Sequence, residues 1–237
     1  AGLQGCVFSI SNVLIQSTIN TFSKTYMTAN TVAGQFDGFI YNAMNAVALS
    51  CLAFVSQNYG ARKFDRIRTV VRQSVLLVTV IGLAIGGGII LFSAQLCGLI
   101  TDDAEIIRIA QNRLYILAST YFTCGIMDVL SNFMRGLGKS AMIVSLSGSC
   151  LFRIIWLKTV YLLNPTIEMV YIVYPISWVL TIGVYMIMYF PTLNRAKREI
   201  AKAEAGNKDT EKTELENKEI ENRELEEADA VAEAEKC

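Results

Sequence analysis

The chain has 237 residues, and its 21 Lys and Arg balance its 21 Asp and Glu to a formal net charge of zero. Hydrophobic residues make up 53% of it, and the mean hydropathy of +0.40 is high for a soluble protein. There is no histidine, which excludes imidazole general-base catalysis, a Ser-His-Asp triad and most zinc or haem sites. We therefore predict no enzyme, no catalytic residue, no bound metal and no cofactor.

The zero net charge hides two regions of opposite charge. Residues 1–190 contain 12 basic and 7 acidic residues, a net charge of +5, whereas residues 191–237 contain 9 and 14, a net charge of −5. We predict a membrane region over 1–190 and a charged cytoplasmic tail over 191–237. The tail is expected to be solvated and either partly helical or disordered, with a partner-binding helix as the alternative.

A run without any charge covers residues 74–93, which read SVLLVTVIGLAIGGGIILFS. A helix of this length, at about 1.5 Å per residue, matches the roughly 30 Å hydrocarbon core of a bilayer. Similar apolar stretches occur at about 3–23, 36–55, 114–134, 141–163 and 169–190. The sequence therefore predicts an all-α membrane protein, a bundle of six transmembrane helices followed by the charged tail.

Basic residues concentrate in every second connection between the predicted spans. The connections after spans two, four and six contain Arg62, Lys63, Arg66, Arg68 and Arg72, then Arg135 and Lys139, then Arg195, Lys197 and Arg198. The other connections contain fewer basic residues, and the connection that contains Arg108 and Arg113 also contains three acidic residues. The positive-inside rule then places the basic connections and both chain ends in the cytoplasm.

The first two spans each carry polar residues on one helical face. In span one these are Ser9, Asn12, Gln16 and Asn20, and in span two Asp37, Tyr41 and Asn45. Because an unsatisfied amide in hydrocarbon costs several kcal/mol, such faces must meet protein or water. Two interpretations stay open, a water-filled cavity shared by both helices or hydrogen bonds that join the helices.

Charged residues within spans are costly and are functional candidates. Asp128 lies in span four, with Asn132 one turn further on the same face, and Arg153 lies midway along span five. Asp128 is a candidate for a coupling group, and a structural hydrogen bond is the alternative. Arg153 is placed roughly 9 Å farther from the cytoplasm than Asp128, so a direct pair is not assured.

Two further features concern helix packing. Gly82 and Gly86 in span three have the spacing that lets membrane helices approach closely, although glycine is common in such helices in general. Pro175 is expected to interrupt and kink span six.

RGLGKS at 135–140 resembles the end of a phosphate-binding loop but lacks the first glycine of that motif. We therefore find no ATP-binding motif in the sequence, and transport against a gradient by this chain would draw on an ion gradient.

Three separated segments resemble the second half of a MATE-family multidrug and toxic-compound extrusion transporter. They are GLQGCVFSISNVLIQSTINTF at the start, SQNYGARKFDRIR after span two, and GIMDVLSNFMRGLGKS at the end of span four. The similarity covers nearly all of residues 1–193. It implies twelve helices in two six-helix lobes with a cavity between them, and export of cationic or amphipathic organic compounds in exchange for Na⁺ or H⁺.

By this resemblance the chain is the C-terminal lobe, helices seven to twelve, of a multi-pass protein in a bacterial cell membrane. The chain also opens within a helical pattern without an initiator Met, and we expect a fragment that does not transport alone. Its expected partners are small organic cations or drugs, the lipid bilayer and the missing N-terminal six-helix lobe, and not nucleic acid.

Some family members carry an acid in the first helix of this lobe, where span one has only neutral polar groups. Asp37 and Asp128 thus remain the acidic candidates, and a coupling ion can instead bind in the other lobe. Two alternatives stay open, a flippase for lipid-linked precursors, which would favour a strongly basic cavity, and a non-transporting membrane scaffold. The residues predicted to line the substrate or ion pathway are Asn12, Gln16, Asn20, Asp37, Tyr41, Asn45, Asp128, Asn132 and Arg153.

Overall fold

The computed structural model describes residues 2–138 and 151–234, and these residues form helices and connecting turns without a β-strand. In chain order the helices are α1 (Gly2–Ile19), α2 (Lys24–Gly60), α3 (Phe64–Leu91), α4 (Ser93–Gly98), α5 (Ala104–Ala118), α6 (Tyr121–Gly136), α7 (Phe152–Lys158), α8 (Val160–Leu163) and α9 (Ile167–Ala234). The prediction of an all-α fold is confirmed over these ranges. The chain divides into two compact units, Ala1–Leu193 and Asn194–Cys237.

Three helical segments in the described part of the chain are long and apolar enough to cross a membrane. They are Lys24–Gly60, Phe64–Leu91 and Ile167–Ala203. A fourth is added if α5 and α6, which meet at an angle of 45°, count as one broken span. This supports a multi-pass membrane protein. The count of six stays a prediction, and residues 139–150, which include the first part of predicted span five, lie outside the described residues.

The structure corrects the expectation of a single continuous helix over residues 114–134. α5 ends at Ala118 and α6 begins at Tyr121. The hydroxyl of Ser119 donates to the Tyr115 carbonyl at 2.7 Å, and that of Thr120 donates to the Ile116 carbonyl at 3.0 Å. These two hydroxyls bond the last carbonyl groups of α5 at the position of the break, and such bonds favour a bend.

The start of α5 is fixed by a helix cap. The Asp103 carboxylate accepts hydrogen bonds from the backbone N–H groups of Glu105 at 2.9 Å and Ile106 at 3.3 Å. These groups have no partner within the helix, so an acidic cap stabilises the first turn. The cap places residues from Ala104 onward in a helix that packs against α2, α3 and α4.

Glycines allow α3 to approach the break between α5 and α6. A Cβ atom built on Gly86 would lie 2.5 Å from the carbonyl oxygen of Ala118, and one on Gly82 would lie 2.9 Å from Cα of Phe122. A methyl group at either position would overlap the backbone of the neighbouring helix. The close approach expected from the spacing of these two glycines is therefore confirmed, whereas Gly87 and Gly88 face open space.

A second packed group joins α1 and α7 to the beginning of α9. Its buried apolar core consists of Ile15, Ile19, Ile167, Val170, Tyr171 and Val173. From α7, Phe152 and Trp156 pack against this core, and the Trp156 indole N–H donates to the Met169 carbonyl at 3.0 Å. α9 continues through Pro175, so this proline does not end the helix.

Candidate functional site

A cavity of about 330 Å³ lies among residues of α1, α2, α6, α7 and α9. This volume is at the lower end of the roughly 300–1,000 Å³ found for small-molecule sites. Among the described residues that line it, three were predicted from the sequence and four were not. The lining consists of Asn12, Tyr41, Arg153, Tyr121, Cys124, Tyr174 and Trp178.

Among the described lining residues Arg153 is the one that carries a charge, and its side chain is held by two other helices. Its Nε donates to the Ser177 hydroxyl and its Nη1 donates to the Asn12 amide oxygen, both at 3.1 Å. The guanidinium carbon lies 4.6 Å from the centre of the Tyr174 ring, within the range of a cation–π interaction. Arg153 is only 1% exposed, so its charge is held at a fixed position among protein groups.

Aromatic rings form the apolar part of the wall. The Trp178 ring centroid lies 5.3 Å from that of Tyr121 and 6.1 Å from that of Tyr174. Rings at these separations form a connected surface, and their faces can pack against a planar ligand. The sequence reasoning missed all three residues, because aromatic residues in membrane helices are common and give no signal of their own.

A second polar cluster joins α2 to α5. The Asp37 carboxylate forms an ion pair with Arg113 at 2.6 Å, and the two side chains are 8% and 11% exposed. Arg113 Nη1 also donates to the backbone carbonyl of Asn30 at 3.1 Å. A Cβ atom built on Gly34 would lie 3.6 Å from Nη1, so this part of α2 leaves room for the guanidinium.

This ion pair corrects the assignment of Arg113 to a connection between spans. α5 begins at Ala104, which places Arg113 in the third turn of a helix, and its side chain lies against α2. A sequence signal for the pair was available, because Asp37 in an apolar span requires a nearby cation or hydrogen bonds. Counting Arg113 with the loop residues concealed its role as that cation.

The polar face of α1 is divided between two environments. Asn12 reaches the cavity, whereas Gln16 accepts a hydrogen bond from the Asn30 side chain on α2 and donates one to Asn20, both at 3.1 Å. On α2, Tyr41 lines the cavity and Asn45 does not. The structure thus combines the two interpretations, with a cavity at some of these positions and interhelical hydrogen bonds at others.

Asp128 and Asn132 lie on consecutive turns of α6. The Asn132 amide donates to the Asp128 backbone carbonyl at 3.0 Å and its oxygen accepts from Arg135 at 3.3 Å. Asp128 lies within electrostatic range of Arg135, and also of Tyr41 and Cys124 in the cavity wall. Asp128 is therefore close to the cavity without lining it.

These residues form a polar and aromatic cavity among the helices of a membrane protein. The MatE family model matches residues 1–157, and the chain belongs to this family. Over 138 residues it is 26% identical to the probable multidrug resistance protein YoeA of Bacillus subtilis (strain 168), which covers 58% of this chain and 30% of YoeA.

Two solved structures have the same fold. The Vibrio cholerae MATE transporter VcmN in its bent form aligns with a TM-score of 0.70 and 21% identity, over 82% of this chain and 44% of VcmN. An outward-facing multidrug resistance MATE transporter of the MOP superfamily aligns with a TM-score of 0.66 and 14% identity, over 79% of this chain and 41% of that protein. The chain thus spans less than half the length of these relatives.

Proposed function

We propose that this chain is the C-terminal lobe of a secondary active efflux transporter, which exports cationic or amphipathic organic compounds in exchange for Na⁺ or H⁺. The observation that supports this most directly is the cavity of about 330 Å³ within a MatE-family bundle. Because the chain covers less than half of its structural relatives, the transport activity would require a second lobe. A site between two such repeats is typical of secondary transporters.

Asp128 is the stronger of the two acidic candidates for the coupling ion. Asp37 already has a cation at 2.6 Å in Arg113, and an acid held in this way is poorly suited to bind and release Na⁺ or H⁺. No hydrogen bond to the Asp128 carboxylate is found among the described residues. A cation at Asp128 would change the electric field at Tyr41 and Cys124 in the cavity wall. This proximity offers a physical link between ion binding and substrate binding.

The proposed setting is the cytoplasmic membrane of a bacterium, with the basic connections and the acidic tail in the cytoplasm. Its support is the concentration of Lys and Arg in alternate connections of the sequence. The named relatives from Bacillus subtilis and Vibrio cholerae are also bacterial proteins.

The test is a flux assay on everted membrane vesicles that contain the transporter with both lobes. A fluorescent organic cation, an amphipathic fluorescent dye and a labelled lipid-linked precursor are offered separately under an imposed Na⁺ or H⁺ gradient. We expect accumulation of a dye that stops when one of the two gradients is collapsed. Movement of the lipid precursor alone, or dye movement that is independent of both gradients, would contradict the proposal.

A further inference from the structure

We propose that the cavity around Arg153 binds amphipathic compounds through an anionic group, with a planar aromatic body against Tyr121, Tyr174 and Trp178. The inference rests on the proposed export function and narrows its substrate class. Among the cationic or amphipathic compounds proposed above, this site selects those that carry an anionic group, such as a carboxylate, over simple organic cations.

The first argument is the charge of the wall. An Arg side chain stays protonated in proteins, and Arg153 is 1% exposed and lines the cavity. Its contacts with Asn12, Ser177 and Tyr174 orient the guanidinium. A charge held in surroundings of low dielectric attracts an anion and repels a cation more strongly than it would in water.

The second argument concerns the acids nearest to the cavity. Asp37 pairs with Arg113 at 2.6 Å, and Asp128 lies within electrostatic range of Arg135. Asp37 therefore has a cation of its own on α5, whereas Asp128 has only a nearby positive charge on α6. The ion pair reduces the negative field that Asp37 exerts on a ligand beside Arg153, and Asp128 does not line the cavity.

The third argument is geometry. The guanidinium is planar, and its N–H groups match the two oxygens of a carboxylate. The hydrogen bonds to Asn12 and Ser177 fix the orientation of this group before a ligand arrives, which lowers the entropy cost of binding. Beside it, the rings of Tyr121, Tyr174 and Trp178 offer apolar surface for a flat ring system.

The experiment uses the full chain in phosphatidylcholine nanodiscs and three probes that share one ring system. They are 2-naphthoate, neutral 2-naphthamide and cationic 2-naphthylmethylammonium. Binding is measured by equilibrium dialysis and by quenching of Trp178 fluorescence in a Trp156→Phe background. We expect 2-naphthoate to bind about 10-fold or more tightly than 2-naphthamide, the ratio that one charge-assisted hydrogen bond gives, and the cation to bind least.

The charge is then removed in the variant Arg153→Gln, which should bind 2-naphthoate no more tightly than 2-naphthamide. Lys158→Gln is the matched control, because it removes one positive charge from an exposed position on the same helix and should retain the preference. Arg153→Lys keeps the positive charge and should retain part of the preference for 2-naphthoate. If Arg153→Gln does not fold, the relative binding of the three probes to the parent chain and to Arg153→Lys still tests the proposal.

A preference for 2-naphthoate that persists in Arg153→Gln would overturn the proposal, as would equal binding of anion and cation by the parent chain. An anionic lipid headgroup is the other source of an anionic group for Arg153. If phosphatidylglycerol in the nanodiscs abolishes 2-naphthoate binding, the site is a lipid site and the assignment to an aromatic solute is wrong. These measurements require no ion gradient, so they fail or succeed independently of the flux assay.

Discussion

Asp37 on α2 and Arg113 on α5 form an ion pair of 2.6 Å in the interior of the membrane bundle. The same guanidinium bonds the Asn30 carbonyl on α2. Two contacts from one side chain to α2 fix the position of α5 along that helix. Because α5 meets α6 at the break after Ala118, the pair also helps to position α6, which carries Asp128 and part of the cavity wall.

We predict that breaking this pair destabilises the bundle strongly. Asp37→Asn or Arg113→Gln leaves a buried charge without its counter-ion, which costs about 3–5 kcal/mol. The double variant should cost less than the sum of the two single variants, since it leaves no uncompensated charge. Thermal unfolding in detergent, arranged as a double-mutant cycle, measures both quantities.

The exposed ion pair between Arg195 and Glu199 serves as the control for that cycle. Its nitrogen and oxygen lie 2.9 Å apart, but the Arg195 side chain is 71% exposed. Arg195→Gln should change the stability by about 0–1 kcal/mol. If Asp37→Asn is no more harmful than this control, the buried pair does not hold α2 and α5 together.

We predict that adding a methyl group at Gly86 destabilises the contact between α3 and α5. The new Cβ would lie 2.5 Å from the Ala118 carbonyl oxygen, and overpacking of this kind costs about 1–3 kcal/mol. Gly87→Ala, next in the chain, is the control because its Cβ meets open space. Equal melting temperatures for the two variants would show that α3 can move away from α5 without cost.

We predict that Asp128→Asn lowers gradient-driven efflux while expression and folding survive. The substitution keeps the shape of the side chain and removes its charge and its titration. The assay is dye flux in vesicles that contain the transporter with both lobes. Asp65→Asn, an exposed acid in the first turn of α3, is the control. Normal export with unchanged ion dependence in Asp128→Asn would make Asp128 structural and would assign coupling to another position, most simply in the other lobe.

We predict that Lys63 and Asn164 lie on opposite sides of the membrane. Lys63 belongs to a basic connection and Asn164 to a connection without Lys or Arg, and both are exposed. Each is replaced by Cys in a cysteine-free background and labelled with a membrane-impermeant maleimide in intact cells. We expect labelling of Asn164→Cys alone. Labelling of both positions from outside would contradict the proposed topology.

The sequence predicted several positions of the candidate site without their arrangement. Asn12, Tyr41 and Arg153 stand out because polar groups in apolar spans are costly, and the structure places all three around one cavity. The same reasoning gave Gln16 and Asn20, which instead take part in hydrogen bonds between and within helices. Periodicity shows which residues share a helical face, but it does not show what that face meets.

By itself the sequence determined the class of the molecule, because length and hydrophobicity of a segment are local properties that decide whether it can form a membrane helix. The spacing of Gly82 and Gly86 indicated a close helix contact without deciding it, and the structure confirmed the contact. Only the tertiary structure decided that α5 and α6 are separate helices, that Arg113 faces Asp37 and that Tyr121, Tyr174 and Trp178 line one cavity with Arg153. These contacts depend on the rotation and crossing of helices far apart in the chain, and the packing of the whole bundle sets both.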